Sequence, residues 1–326
     1  MMLNRDAVAG ISLARVMAHC GGDLRAAVSF IARAIAAAPE APEPYSMLGE
    51  MWDEQRPSLT AALAGSNSLP TVLATSFVRF LEADMDNAVM ALGSVTGAQP
   101  SVEWARAPWF SDPHFTDRVG AEGLAEAVMR TMDCGHALDT PAIRDGLNPW
   151  RELIDKVCDR APAPEPMAKM AIFLRTCGLT DESFALCDRA DSVERIMLTE
   201  VVRAATWRKI GNPQKAAAAF HRALAMEPDN WSLYLDLADL QAEQGDFASA
   251  VQSATEGLKH GPTEITLRAA GAAYRARHSG DADALEALIA LAPQMPNGPY
   301  RAVLIDHACA GEGLSPELVD RACRLR

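Results

Sequence analysis

In "NWSLYLDLADLQAEQ" the residues Trp231, Tyr234, Leu235 and Ala238 fall on one helical face, and Gly245-Asp246 then break the helix as a glycine C-cap does. "FASAVQSATEGLKH" resumes the same spacing, and Pro262 ends it. This predicts two helices joined by a tight turn. The pattern is written elsewhere too: "GDLRAAVSFIARAIAAAP" at 22–39 matches "GDFASAVQSATEGLKHGP" at 245–262 in its Gly-Asp opening, its Ala-Val and its closing proline. An interval of 12 residues separates Ala27 from Pro39, Ala88 from Pro100, Ala216 from Pro228 and Ala250 from Pro262, and the last two prolines stand 34 apart. One helix pair cannot bury its apolar face alone. Stacked copies build a core that grows along one dimension.

These residues resemble the tetratricopeptide repeat family. Residues 231–264 supply Tyr234, Leu237, Ala238, Ala250 and Pro262; residues 197–230 supply Ala204, Trp207, Ala216, Phe220, Ala223 and Pro228. Tyr45, Leu48, Gly49 and Trp52 fit a first helix, while Ala27, Ile31, Ala34 and Pro39 fit a second. Weaker copies carry Ser76, Ala88, Leu92 and Pro100, then Ala171 and Gly178. The resemblance implies an all-α, helical-hairpin repeat solenoid, a TPR-like superhelix with a non-repeat helical spacer. Its expected parts are an N-terminal arm over 1–102, the spacer over 103–163, and a C-terminal arm over 164–326 ending in a helical hairpin.

The pattern has departures. Arg15 stands where the family has a small residue, so the first helix is a cap or is shifted in register. Gly257 replaces an alanine, a loss of about 1 kcal/mol in helix propensity. After Pro57 the second helix of that unit is shortened. Pro293 arrives early, and a closing hairpin follows over 299–310 and 316–325, with Ser315 as cap and Pro316 at the first helical position. The spacer concentrates Trp104, Trp109, Phe110 and Phe115 among turns, continues through "RVGAEGLAEAVMRTM" and "WRELIDKVCDR", and reaches "APAPEP", expected to be stiff and extended. Its rings are either a plug where stacking is interrupted or a hook for a partner.

Composition narrows the function. The 326 residues exceed what one compact core usually supports, and 49% hydrophobic content with frequent alanine suits closely packed helices. A net charge of −13 would repel a nucleic acid duplex or an anionic bilayer, so neither is an expected partner. The seven cysteines form no CxxC and read as free buried thiols in a reducing cytosol, hence a cytoplasmic protein. Arg15 and His19 interrupt what would be a secretory apolar region, and no window is long enough to span a membrane.

Chemistry is hard to find. Asp112-Pro113-His114 and Cys134-Gly135-His136 catch the eye, but residues two apart in a loop rarely align a nucleophile with its base. No metal or nucleotide motif is present, so the expectation is no enzyme, no cofactor and no metal. The runs "EADMD" and "GDADALE" read as solvated helix ends.

The resemblance also implies a place for a ligand, a groove lined by the first helix of each unit. Helical spacing puts Glu43, Ser46, Glu50 and Asp53 there, then Leu73, Phe77 and Phe80. In the C-terminal arm it puts Ile172 and Arg175, Val201, Ala205 and Arg208, and Leu235, Asp239 and Ala242. The expected partner is a protein or peptide segment with a basic residue near Glu50 and Asp53 plus an apolar anchor. Such a protein is a non-catalytic interaction module or scaffold. A sensor whose two arms close around a peptide or small effector, an enzyme with its site in 101–163, and a homo-oligomer built through the terminal hairpin are the alternatives.

Overall fold

The computed structural model describes residues 24–64 and 66–326; Arg15, Cys20 and the opening of the first arm lie outside the described residues. Among the described residues all regular structure is helical. The chain divides into two compact units after Arg195. The expected boundary between spacer and second arm lies at 163/164, whereas residues 164–195 belong to the first unit.

The first unit contains α1 (Leu24–Ala37), α2 (Pro42–Leu63), α3 (Leu69–Leu81), α4 (Met85–Ala98), the one-turn α5 (Pro113–Thr116), α6 (Ala121–Arg130), α7 (Pro141–Gly146), α8 (Asn148–Arg160), α9 (Pro164–Thr176) and α10 (Thr180–Val193). Helix α1 packs on α2 and α3, α3 on α4, α4 on α6, α6 on α9, and α9 on α10. The segment expected to be a spacer therefore contributes α6 to the stack. Helix α2 breaks at Gln55, two residues before Pro57, because a proline removes a helical hydrogen bond and crowds the preceding turn. "APAPEP" is not an extended linker. Pro164 and Pro166 sit in the first turn of α9, where a missing N–H costs nothing.

The second unit runs α11 (Met197–Lys209), α12 (Pro213–Met226), α13 (Trp231–Glu243), α14 (Phe247–His260), α15 (Ile265–Ser279), α16 (Ala282–Leu291), α17 (Pro299–Cys309) and α18 (Pro316–Cys323). Successive pairs stack on one another, and Ser315 caps α18 by accepting from the Leu318 amide. Asp246 and Asp281 likewise cap α14 and α16.

The repeat is visible in the backbone. The hairpins α9/α10, α11/α12, α13/α14, α15/α16 and α17/α18 turn at Gly178, Gly211, Gly245, Gly280 and Gly313, all with φ between 64° and 82°. Glycine enters this left-handed region without the Cβ clash of other residues. The α3/α4 hairpin places Ala83 there instead, at φ 59°. A second signature is a hydroxyl. Tyr45 donates to the Pro39 carbonyl and Tyr234 to that of Pro228, both at 3.0 Å and both six residues back. Each tyrosine thereby ties the first helix of a repeat to the proline that closes the one before.

The family-pattern positions are core positions. Ala27, Ile31, Tyr45, Leu48, Trp52, Ser76, Ala88, Ala171, Ala204, Ala216, Phe220, Leu237, Ala238 and Ala250 are all buried. Gly257 is a requirement of packing rather than a loss, since a Cβ there would stand 2.8 Å from the Tyr234 Cβ. Helices α4 and α6 approach more closely still. A Cβ on Gly93 would lie 2.2 Å from the Ala127 carbonyl oxygen.

The rings of 104–115 are buried and fill the space beside that contact. Trp109 meets Phe115 edge-on at 5.0 Å, Phe110 meets Trp150 at 5.1 Å, and Phe80 meets Trp109 at 5.6 Å. Arg160 holds the adjoining turn through the carbonyls of Thr116 and Val119. These aromatics form a plug, not a hook.

Candidate functional site

The first helices of the pairs in the second unit, α11, α13, α15 and α17, are joined by a line of polar contacts. Arg208 on α11 makes a two-pronged ion pair with Glu243 on α13, with Nε 2.7 Å from Oε2 and Nη2 on Oε1. One turn earlier on α13, Asp239 Oδ1 accepts from the hydroxyls of Tyr274 on α15, at 2.5 Å, and Tyr300 on α17, at 2.9 Å. The two pairs, Arg208 with Glu243 and Asp239 with Tyr274, each span 35 residues, one repeat plus one.

Asp236 lies one further turn back on the same face. Among the described residues its carboxylate accepts no hydrogen bond, and it feels Arg208 only through space. Burial, and next the Asp239 charge, push its carboxyl up to about 6 against the partial relief from Arg208. Asp239 is also raised, by burial, although both tyrosine hydroxyls and Arg208 oppose the shift. Burial and the Asp239 charge make Tyr274 and Tyr300 still weaker acids than an ordinary tyrosine, so both stay protonated donors. Near the far end of this face His307 is held below its usual value by burial and by Arg277, and its ring meets Phe247 at 5.3 Å.

Asp239 is thus a pin between three helices. Asp236 is a half-buried carboxylate with spare acceptor capacity. Arranged this way, the face can receive a cation or a hydrogen-bond donor, and it contains no nucleophile beside a base.

Residues 208–265, from the end of α11 to the start of α15, match the family model described as tetratricopeptide repeat. This segment carries tetratricopeptide repeats. No curated protein matches it. Among solved structures, a tetratricopeptide repeat protein from Parabacteroides merdae is 12% identical, with 99% of each chain covered and a TM-score of 0.43. PilF of Pseudomonas aeruginosa is 12% identical over 72% of this chain and 94% of its own, with a TM-score of 0.42. PilW, a type IV pilus biogenesis factor, is 14% identical over 74% of this chain and 100% of its own, with a TM-score of 0.43. Likeness at that level says nothing about partner or activity.

The expected groove residues of the tetratricopeptide repeats meet different fates. Glu43, Ser46, Glu50 and Asp53 are all exposed along one side of α2, opposite the buried Tyr45, Leu48, Met51 and Trp52. Leu73 and Phe77 are buried core residues, and the half-buried Phe80 packs against Phe77, Trp109 and the His114 ring. Ile172, Arg175, Val201, Ala205, Leu235 and Asp239 are half-buried, Ala242 is buried and Arg208 is exposed. The second-unit face is polar at its centre. Helical spacing names Arg208 and Asp239 of this polar line, and it does not name Asp236, Glu243, Tyr274 or Tyr300.

The polar constellations of the first unit have structural explanations. Asp112 caps α5 by accepting from the His114 amide at 2.7 Å, while Cys134 and His136 lie in an exposed loop. Among the described residues no group of three His, Cys, Asp or Glu could hold a metal ion, and no helix is long and apolar enough to cross a membrane.

Proposed function

We propose that this protein is a non-catalytic interaction module that binds a peptide segment of another protein along the α11–α13–α15–α17 face, with Asp236 receiving a lysine or arginine side chain. Tetratricopeptide arrays serve generally as protein-interaction scaffolds, which supports the first half of this reading. The second half rests on Asp236, a half-buried carboxylate with its acceptors unused beside a carboxylate whose Oδ1 already accepts from two tyrosine hydroxyls. A cationic side chain there would replace lost hydration with a charge-assisted hydrogen bond. The half-buried Val201 and Leu235 on the same helices offer an apolar anchor. The exposed carboxylates of α2 add an acidic surface suited to the same class of ligand.

The test is fluorescence anisotropy of the full chain with a positional-scanning library of short peptides. Peptides with one basic residue beside a leucine should bind better than their glutamate counterparts. Asp236→Lys should abolish that preference. Glu50→Lys with Asp53→Lys should only slow association and reduce its salt dependence. Equal binding of basic and acidic peptides, or retention of the preference in Asp236→Lys, would refute the assignment.

A further inference from the structure

The most specific unexplained juxtaposition lies at the end of the second unit. Cys309 is the last residue of α17 and Cys323 the last of α18, and their sulfurs stand 3.6 Å apart. Cys323 is exposed and Cys309 half-buried, whereas Cys158, Cys177 and Cys187 are enclosed. A disulfide needs sulfurs about 2.05 Å apart, a closure within the reach of side-chain rotation when one residue sits at an exposed helix end. Arg326 pairs with Asp306 at 2.7 Å, drawing the chain beyond α18 back onto α17.

We propose that Cys309 and Cys323 are a reversible thiol–disulfide modification site that reacts with a low-molecular-weight disulfide of the glutathione class. The exposed Cys323 reacts first. Its thiolate attacks one sulfur of the small disulfide, forming a mixed disulfide and expelling one small thiolate. Cys309 Sγ, its proton given to solvent, then attacks Cys323 Sγ and expels the second small thiolate. The two protein thiols lose two electrons, the small disulfide gains them, and the two protons released end on the two leaving thiolates. Cys309 is the resolving partner rather than the first nucleophile. Burial, the hydrogen bond with Cys323 and the Cys323 charge push its thiol up to about 12, with Arg326 only partly opposing.

The bond would staple the cap of the stack. Helix α18 has only 8 residues, yet Leu318 and Ala322 are part of the terminal core. It is joined to the rest through α16, α17 and one turn at Gly313. Closing the loop between residues 309 and 323 removes open conformations of that helix. The reduced cap can fray, and the oxidised cap is held.

The experiment uses the full chain equilibrated in glutathione buffers of graded oxidised fraction, alkylated, digested with trypsin without reduction and read by mass spectrometry. Peptide 302–321 should appear joined to peptide 322–324, lighter by two hydrogens than their sum, and excess thiol should separate them. Cys309→Ser should stop at the mixed disulfide on Cys323, and Cys323→Ala should leave Cys309 free. In the oxidised native chain, hydrogen exchange of Pro316–Cys323 should slow by about ten- to a hundredfold, with no change in either variant. Cys323 lies on the surface, so its variant tests the site without a folding defect. A fully oxidised native chain in which Cys309 still alkylates, or in which Cys323 joins Cys134 or a second chain, would overturn the proposal.

Discussion

Residues 104–160 and residues 197–260 solve one packing problem with different side chains. In the second stretch the helix pairs meet through Ala204, Ala216, Ala219, Ala223, Ala238, Ala250 and Ala254, all buried. The pairs repeat at constant register, so the gap between them is constant and a methyl group fills it. In the first stretch the register is lost. Helix α6 has no hairpin partner of its own length, and Trp109, Phe110, Phe115 and Trp150 fill the irregular space left behind. Small residues are enough where geometry repeats. Large rings are needed where it does not.

That contrast predicts opposite sensitivities. Phe115→Ala should be the most damaging change, at about 3–5 kcal/mol, because the hole cannot close between rings that are held on every side. Urea denaturation should show the first unit losing stability while the second keeps its midpoint, and a shift of both together would mean that the contrast is wrong. The converse change, Ala250→Leu, should cost about 1–3 kcal/mol and fall on the second unit alone.

A smaller effect concerns charge. In the folded chain the Asp236 carboxyl titrates at about 6 against an ordinary 3.8. The folded state therefore holds that proton more tightly, and its contribution is greatest at low pH and declines as pH rises from about 4 to 6. Asp236→Asn should remove this slope and raise stability at pH 7 by about 1–2 kcal/mol. An unchanged slope in the variant would show that another group produces it. The smallest effect is in the turns. Ala83→Gly should stabilise the α3/α4 hairpin by up to about 1 kcal/mol, since it relieves a left-handed alanine at some cost in chain entropy. Gly245→Ala at the matching turn should destabilise by a similar amount. Thermal melts of both variants check the pair, and two shifts of one sign would contradict it.

The contrast also explains what was legible. Helix ends over 197–265 followed from the alanine-to-proline interval because that interval is set by the packing itself. The glycines at 211, 245, 280 and 313 stand 34, 35 and 33 residues apart, within one residue of the 34-residue period. Phe77 and Phe80 were assigned to a groove by helical spacing alone. They are covered instead, Phe77 by Tyr45 and Phe80 by Trp109 and His114, and the last two belong to a segment with no period to predict its return. Asp239 was found because it lies on a repeating helix. Its partners were not, because Tyr274 stands where the pattern fades and Tyr300 beyond it.

Asp239 has one more consequence. Stacked repeats ordinarily behave as a chain of nearest neighbours, each feeling only the pairs beside it, so such a chain can peel from one end. The bond from Tyr300 crosses 61 residues and passes over α15 to reach α13. That second-neighbour link makes the loss of α17 felt two pairs away, so the helices from α13 to α17 should melt as one cooperative block, with only α18 free to open before them.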